Sequence, residues 1–409
     1  MWRRLQRNTF TEKYLFKNTC SKHIELVIFD NRNAEFVEKI LPNKNYVIIS
    51  TRVEQINKIY VPKKIIFYII KNFFKRSLKQ NYLTALIKVI APKIVITHIS
   101  DSYDFHIISR ILNSKIQFIA IQTYAPTSID IMFPGKEKKN FFIPKLFCYG
   151  KCDELFYKKQ KVNIESFEVV GSLKSSLTYE YTQSEKLKIN PNKYDICLID
   201  ESFVDITYSD HPHVKNIPDS MGLVAEFTHR LCKKHNLNMV FTGKSAKDTL
   251  VARKSIDFYK YYLKNYNFKI IQSPKETKYS SYINIMQSKL TIACMSTLLR
   301  EAISFEKKFL AFNTIGHPDI SFPGQGITFP QESICLLTKP SYELFEERVL
   351  KILSMTNEEY FSQLGKEKSF LMAPTVETAS ILRKRLKHMS EHDTNDNVRT
   401  ICKQNFPNN

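Results

Sequence analysis

The chain has 409 residues and a net charge of +21, from 61 Lys and Arg against 40 Asp and Glu, and 43% of it is hydrophobic. That composition excludes fibrous and wholly disordered classes, and the length suffices for two domains of ordinary size. The charge points to a polyanionic partner: nucleic acid, an anionic membrane or phosphorylated substrates.

The N-terminus, MWRRLQRNTF, carries charge but no apolar core, so no secretory signal is expected, and no apolar run is long enough to span a bilayer. The eight cysteines are scattered, with only Cys148 and Cys152 close together. They read as free thiols in a reducing compartment, without disulfides and without a zinc site. The expected location is the cytoplasm, with peripheral attachment to the inner face of the membrane as an open alternative.

Residues 24–30 (IELVIFD) and 45–50 (NYVIIS) have the β-branched density of buried strands, and Asp30 closes the first. Residues 61–92 have a helical period, bounded by Pro62 and Pro92. Within them, Phe67, Ile70, Phe73 and Phe74 form an apolar stripe among the basic residues of 63–79. Two readings stay open for this stripe: a helix on an anionic membrane face, or a sheet-covering helix with a solvated basic side. A third strand, 93–98, ends in His98, with Asp101 just beyond. Further strands follow at 117–122, ending in Gln122, at 145–150 and at 167–172. Strands alternating with helices and joined by short turns predict a parallel sheet covered on both faces.

Residues 178–193 are polar and poor in apolar periodicity, which predicts a linker between domains at 1–177 and 194–388, with a polar, disordered tail from 389. The second half starts with a strand at 194–200. The loop after it holds Asp210, His211 and His213, read as polar loop residues at a cleft rather than as a metal site. A helix is expected from 218 to 234, then strands at 238–244, running into Lys244-Ser245, and at 268–273. The stretch SKLTIACMSTLLREAISFEKKFLAFN (288–313) reads as a strand, loop, helix and strand. Ser296 or Thr297 is the natural N-cap of its helix, and Glu301 falls one turn in. Such a turn offers free amide groups and a helix dipole to a phosphate, and a carboxylate one turn in can reach a ribose hydroxyl.

Several stretches carry a family resemblance. FEVVGSLKSSL resembles an interdomain strand, V-x-G-S, of bacterial surface-carbohydrate biosynthesis proteins, and IAIQ resembles a strand there that ends in Gln. NMVFTGKSAKD looks like the strand that presents a cation to a sugar nucleotide in those proteins and in Kdo transferases. The run SSYINIMQSKLTIACMSTLLREAISFEKKFLAF is similar to their Tyr-containing helix, strand, Ser-Thr-Leu, Glu-Ala, basic turn and strand. Leu299-Arg300 stands where the family has Gly after Ser-Thr-Leu, and Ser304-Phe305-Glu306 where it has Gly before the last strand.

The resemblance implies an α/β fold of the GT-B type, two Rossmann-like domains with parallel sheets facing a cleft. It implies transfer of a sugar from a nucleotide donor, CMP- or UDP-linked, to a glycan or lipid-linked acceptor, with no cofactor and no metal. Donor contacts would be Lys244, Ser245, Ser296, Thr297 and Glu301. The base would be Asp101, Asp30 or His98, and Gln122, His211 and His213 would line the acceptor site or the cleft. The alternatives are a sugar-nucleotide epimerase or a glycerophosphotransferase of the same fold. A non-catalytic, basic nucleic-acid-binding protein is the weaker alternative, and no nucleic-acid partner is expected, because the basic residues are spread over sheet-covering helices without alternating aromatic and Gly residues.

Overall fold

Short runs of β-branched and aromatic residues build two six-stranded sheets, every pairing in them parallel. The computed structural model describes residues 15–17, 24–42, 45–51, 58–60, 62–100, 102–126, 133, 135–201, 216–243, 250–263, 269–272, 278–316, 322–323 and 329–389. Numbered in chain order, β1 (Leu15–Lys17) pairs with β4 (Lys58–Tyr60) apart from the main sheets. The first sheet holds β2 (Leu26–Phe29), β3 (Tyr46–Ile49), β5 (Ile94–Thr97), β6 (Gln117–Ile121), β7 (Phe142–Cys148) and β8 (Asn163–Val169), in the order β3-β2-β5-β6-β7-β8.

Alternate residues of these strands feed two separate cores, as the two-residue period of a strand requires. Val27, Phe29, Val95, Phe118 and Ala120 face one core; Leu26, Ile28, Ile96, Ile119 and Ile121 face the other. Helices α1 (Ala34–Glu38), α2 (Lys63–Lys71), α3 (Leu78–Ile90), α4 (Tyr103–Leu112), α5 (Lys151–Lys159) and α6 (Leu173–Ser184) cover them.

The second sheet holds β9 (Tyr194–Ile199), β10 (Met239–Gly243), β11 (Lys269–Gln272), β12 (Ser288–Ala293), β13 (Lys308–Phe312) and β14 (Leu336–Leu337). Its order, β11-β10-β9-β12-β13-β14, is the 3-2-1-4-5-6 of a dinucleotide-binding sheet. Its helices are α7 (Ile217–His235), α8 (Leu250–Leu263), α9 (Ser280–Met286), α10 (Thr297–Glu301), α11 (Tyr342–Ser354), α12 (Asn357–Leu364) and α13 (Glu367–Leu371), and α14 spans 378–389.

Three features differ from the sequence expectations. The long helical stretch between Pro62 and Pro92 is broken at 72–77, where Ser77 caps α3 by accepting from the Gln80 amide at 3.2 Å. Residues 178–184, expected in a linker, belong to α6; its buried face is largely Ser175, Ser176, Thr178 and Thr182, which hydropathy does not register. Residues 378–388, expected in the second domain, and 389, expected in the tail, form a helix that packs on the first domain: Ala379, Leu382 and Leu386 join Ile28, Val37 and Leu177 in one core. Thr378 donates to the Val170 carbonyl at 2.6 Å, and Arg383 forks onto Glu180 at 2.6 and 2.7 Å. The tail expected to be disordered lies, from 390 on, outside the described residues.

Candidate functional site

In an open parallel sheet, ligands lodge beyond the carboxyl ends of the strands where the strand order reverses. The first sheet reverses between β2 and β5, and the second between β9 and β12. Asp30 and His98 stand just past β2 and β5, while Glu201 stands past β9 and Ser296-Thr297 past β12. The topology therefore gathers most of the described candidates at the two reversals.

Asp30 is buried, in the left-handed region at φ 80°. One of its carboxylate oxygens accepts from the Arg32 amide at 2.9 Å and the other from the Thr51 hydroxyl. His98 is buried as well. Its Nδ1 lies 3.1 Å from the Ile121 carbonyl, an oxygen that can only accept, so Nδ1 carries the hydrogen and Nε2 the lone pair. Among the described residues nothing bonds to that Nε2. Burial, and then the positive charge of Lys174, holds the imidazole down at about 3, with the Ile121 bond opposing. His98 is thus neutral at physiological pH, with a buried acceptor nitrogen that no described residue engages.

This sets a pH dependence. The folded-state pKa lies below the ordinary 6.5, so the unfolded chain binds the extra proton, and the stability is present above pH 6.5 and lost as pH falls below it. His106, buried and held at about 4, acts in the same direction, while Glu301, held above the usual carboxylate value, opposes both. Replacing His98 by Asn is expected to flatten the stability slope between pH 6 and 4 by up to one proton, about 1.4 kcal/mol per pH unit. Urea midpoints at each pH would measure it; an unchanged slope would place His98 outside this account.

On the second sheet, Glu201 accepts from the amides of Cys294 at 2.5 Å and Met295 at 2.8 Å. The amides ahead of α10 were expected to be free for phosphate; two of them serve this carboxylate instead. Ser296 is the N-cap, and its hydroxyl takes the Leu298 amide at 3.3 Å. Among the described residues no group takes the Ser296 and Thr297 amides. The Thr297 hydroxyl accepts from the Ala125 amide at 2.8 Å, joining α10 to the loop that leaves β6.

Glu301 is buried at the junction of the domains. Its carboxylate accepts from Ser172 at 2.5 Å, from Tyr282 at 3.1 and 3.2 Å, and from Tyr149 at 3.4 Å. Burial raises its carboxyl pKa, while these hydroxyls and Lys174 pull it down. Glu301 was expected at a ribose hydroxyl; here its oxygens are turned to protein hydroxyls. Gln122 is likewise engaged on every side: its amide donates to the Tyr124 carbonyl at 3.0 Å and to Asp153 at 2.8 Å, and its oxygen takes the Tyr149 amide at 3.0 Å. It is a strut between β6 and β7 rather than a cleft-facing group. Asp101, His211, His213, Lys244 and Ser245 lie outside the described residues.

Sequence reasoning passed over Glu201 and Lys174. The Lys174 ammonium lies 5.4 Å from the Phe36 ring centre, and its charge acts on both His98 and Glu301. Its place inside FEVVGSLKSSL was the signal that could have found it. Arg300, one of the departures from the family pattern, is fully buried and forks onto Asp153 at 2.9 and 2.6 Å while also bonding the Leu371 carbonyl. The other departure has its own reason. Glu306 takes the left-handed conformation, φ 53°, that a Gly would hold without strain. Among the described residues no group of three or more His, Cys, Asp or Glu side chains is placed to hold a metal.

The fold is of the GT-B type, two Rossmann-like α/β domains whose sheets are wholly parallel. It is similar to the UDP-GlcNAc 2-epimerase of Neisseria meningitidis, solved with UDP-GlcNAc, at TM-score 0.51 and 12% identity over 89% of this chain and 99% of that one. It is also similar to the wall teichoic acid polymerase TagF, at TM-score 0.54 and 10% identity over 91% and 90%. The S. aureus MnaA–UDP structure matches at TM-score 0.50 and 14% identity over 90% and 96%. At such identities the likeness is one of fold. Residues 214–362 match the sequence model of a family described as a "putative O-antigen biosynthesis protein", in line with the resemblance to surface-carbohydrate biosynthesis proteins. No curated protein matches the chain in sequence.

Proposed function

We propose that the protein is a glycosyltransferase of surface-polysaccharide biosynthesis, moving a sugar from a nucleotide donor to a glycan or lipid-linked acceptor. The observation that carries this reading is the bond from the Ala125 amide to the Thr297 hydroxyl. It sets the turn into α10 against the loop leaving β6, the strand next to the one that carries His98. A donor phosphate at the Ser296 and Thr297 amides would then face an acceptor held near His98 and Asp30. The family match over the second domain supports the polysaccharide context.

In the reaction, the bond between the anomeric carbon and the phosphate oxygen breaks, and the nucleotide leaves with the electron pair. The acceptor hydroxyl oxygen attacks that carbon, and its hydrogen would point to the lone pair on His98 Nε2, a buried nitrogen that the acceptor must uncover to reach. The transition state has oxocarbenium character, so the hydroxyl loses its proton late, and a weakly basic imidazole suffices to orient it. Asp101, three residues further on, and Asp30 are the carboxylates that would carry the proton away. Lys244, directly after β10 in sequence, would neutralise the departing phosphate. Glu301, through Tyr149, Ser172 and Tyr282, is a positioning residue that fixes α10 against the first domain.

The test is a product assay with UDP- and CMP-linked sugars and CDP-glycerol, with and without a lipid-linked glycan. Nucleotide release that requires both a nucleotide sugar and the acceptor is expected, and His98→Ala should lower it by about 100-fold or more. A nucleotide sugar converted to its epimer without release would replace this reading by an epimerase, and turnover of CDP-glycerol alone by a glycerophosphotransferase.

A further inference from the structure

The segment from Pro62 to Asn81 carries a surface that plays no part in the cleft. Ile65 is the one residue of α2 that is fully buried, with Tyr68 and Ile69 partly buried against the first sheet's core. The opposite side is apolar and in water: Phe67 is 70% exposed, Ile70 69% and, in the turn that follows, Phe74 97%, with Phe73 and Leu78 beside them. The Phe73 and Phe74 rings meet edge to face, 5.3 Å between centres.

This exposure is built rather than frayed. The Asn81 amide donates to the Asn72 carbonyl at 2.8 Å and to the Arg76 carbonyl at 3.3 Å, and the Asn72 amide donates to the Tyr68 carbonyl at 2.9 Å. Both Asn residues are buried, so the turn holds its aromatic tip outward from a fixed base.

Lys63, Lys64, Lys71 and Lys75 surround the apolar side, all exposed, and no Asp or Glu occurs between residues 55 and 100. Among the described residues no ion pair engages these four lysines, in contrast to Lys79, which is paired with Asp104 at 2.7 Å. An occupant must therefore offer negative charge in an outer layer and hydrocarbon just beneath it. The boundary between headgroups and acyl chains of an anionic bilayer offers both, and a basic amphipathic helix with aromatic side chains on its apolar face lies in that plane. A nucleic acid would meet the lysines but leave Ile70 and Leu78 without an apolar partner. Among the described residues no helix is long and apolar enough to cross a membrane, so contact through this surface would lie in the interface plane.

We propose that α2 and the turn into α3 dock the protein on an anionic lipid surface. The proposal does not rest on the reading of the cleft, since docking needs no nucleotide. The test is co-sedimentation of the full chain with vesicles of phosphatidylglycerol and phosphatidylethanolamine, and with phosphatidylcholine alone. Binding to the anionic vesicles only is expected, weakened by salt, and about tenfold or more weaker in Lys71→Gln/Lys75→Gln and in Phe67→Ser/Phe74→Ser. These side chains are exposed, so melting curves of both variants should match the parent. Absence of binding to anionic vesicles, or binding unchanged in both variants, would overturn the proposal. So would a dimer, seen by light scattering, that the Phe variant alone dissolves, or RNA binding that the Lys variant alone abolishes while vesicle binding is absent.

Discussion

Replacing Arg300 by Leu is expected to destabilise the protein by about 3–5 kcal/mol, because it leaves a buried carboxylate without its countercharge. Arg300 comes from α10 in the second domain and Asp153 from α5 in the first, and both side chains are essentially without solvent. Asp153 would keep its bonds from the Gly150 amide at 2.9 Å and the Gln122 amide at 2.8 Å, but no cation. The Leu371 carbonyl would lose the Arg300 Nε bond at 2.9 Å and a second from the same guanidinium. Arg300→Lys should do little better, since one ammonium cannot replace a fork that serves a carboxylate and a carbonyl together. Removing both charges, Arg300→Leu with Asp153→Leu, should recover part of the loss, the mark of a directly coupled pair. Urea or thermal unfolding of the three variants decides it. A loss below 1 kcal/mol for Arg300→Leu would show that the pair does not hold the domains.

Gly150→Ala should cost nearly as much, about 3 kcal/mol, by overpacking the same junction. A Cβ on Gly150 would lie 2.5 Å from the Leu371 carbonyl carbon and oxygen and from the Phe370 oxygen, all backbone atoms. None of these can swing aside, so α13 must move off the turn between β7 and α5, and the Leu371 carbonyl moves with it away from Arg300. Gly222 gives the internal comparison. Its added Cβ would meet the Tyr262 ring at 2.3 Å, and a partly exposed ring can rotate away. Gly222→Ala should therefore melt closer to the parent than Gly150→Ala, and the reverse order would contradict the contact argument.

How much was legible follows from what each signal measures. Buried parallel strands are continuous apolar runs, so IELVIFD, KIVITH and YDICLID announced themselves, and with them the paired sheets. α6 was hidden because Ser175, Ser176, Thr178 and Thr182 fill its buried face, and small hydroxyls pack closely without changing hydropathy. The break inside 61–92 depends on the buried amides of Asn72 and Asn81, single polar residues that a periodicity averages away. Asp30, His98, Ser296 and Thr297 could be placed because they end strands or open a helix, and strand ends at an order reversal are where sites form. What those side chains touch could not be read. Gln122 and Glu301 proved to be bonded within the protein, and Glu201 takes amides expected to be free; all but the Tyr124 carbonyl among these partners lie about 20 to 150 residues away in sequence, beyond the reach of a local pattern. The exposed stripe of α2 was visible, but its orientation to solvent rather than to the sheet was a matter of packing.

The proposed binding of a sugar nucleotide at the turn into α10 is tested most directly by thermal shift with CMP, UDP, GDP and CDP, on the parent protein and on Lys244→Ala. One nucleotide should raise the melting temperature; at a concentration a hundredfold above its Kd the stabilisation is about 2.7 kcal/mol, and Lys244→Ala should remove most of it. No shift with any of the four, beside tight and salt-sensitive binding of RNA, would contradict the account.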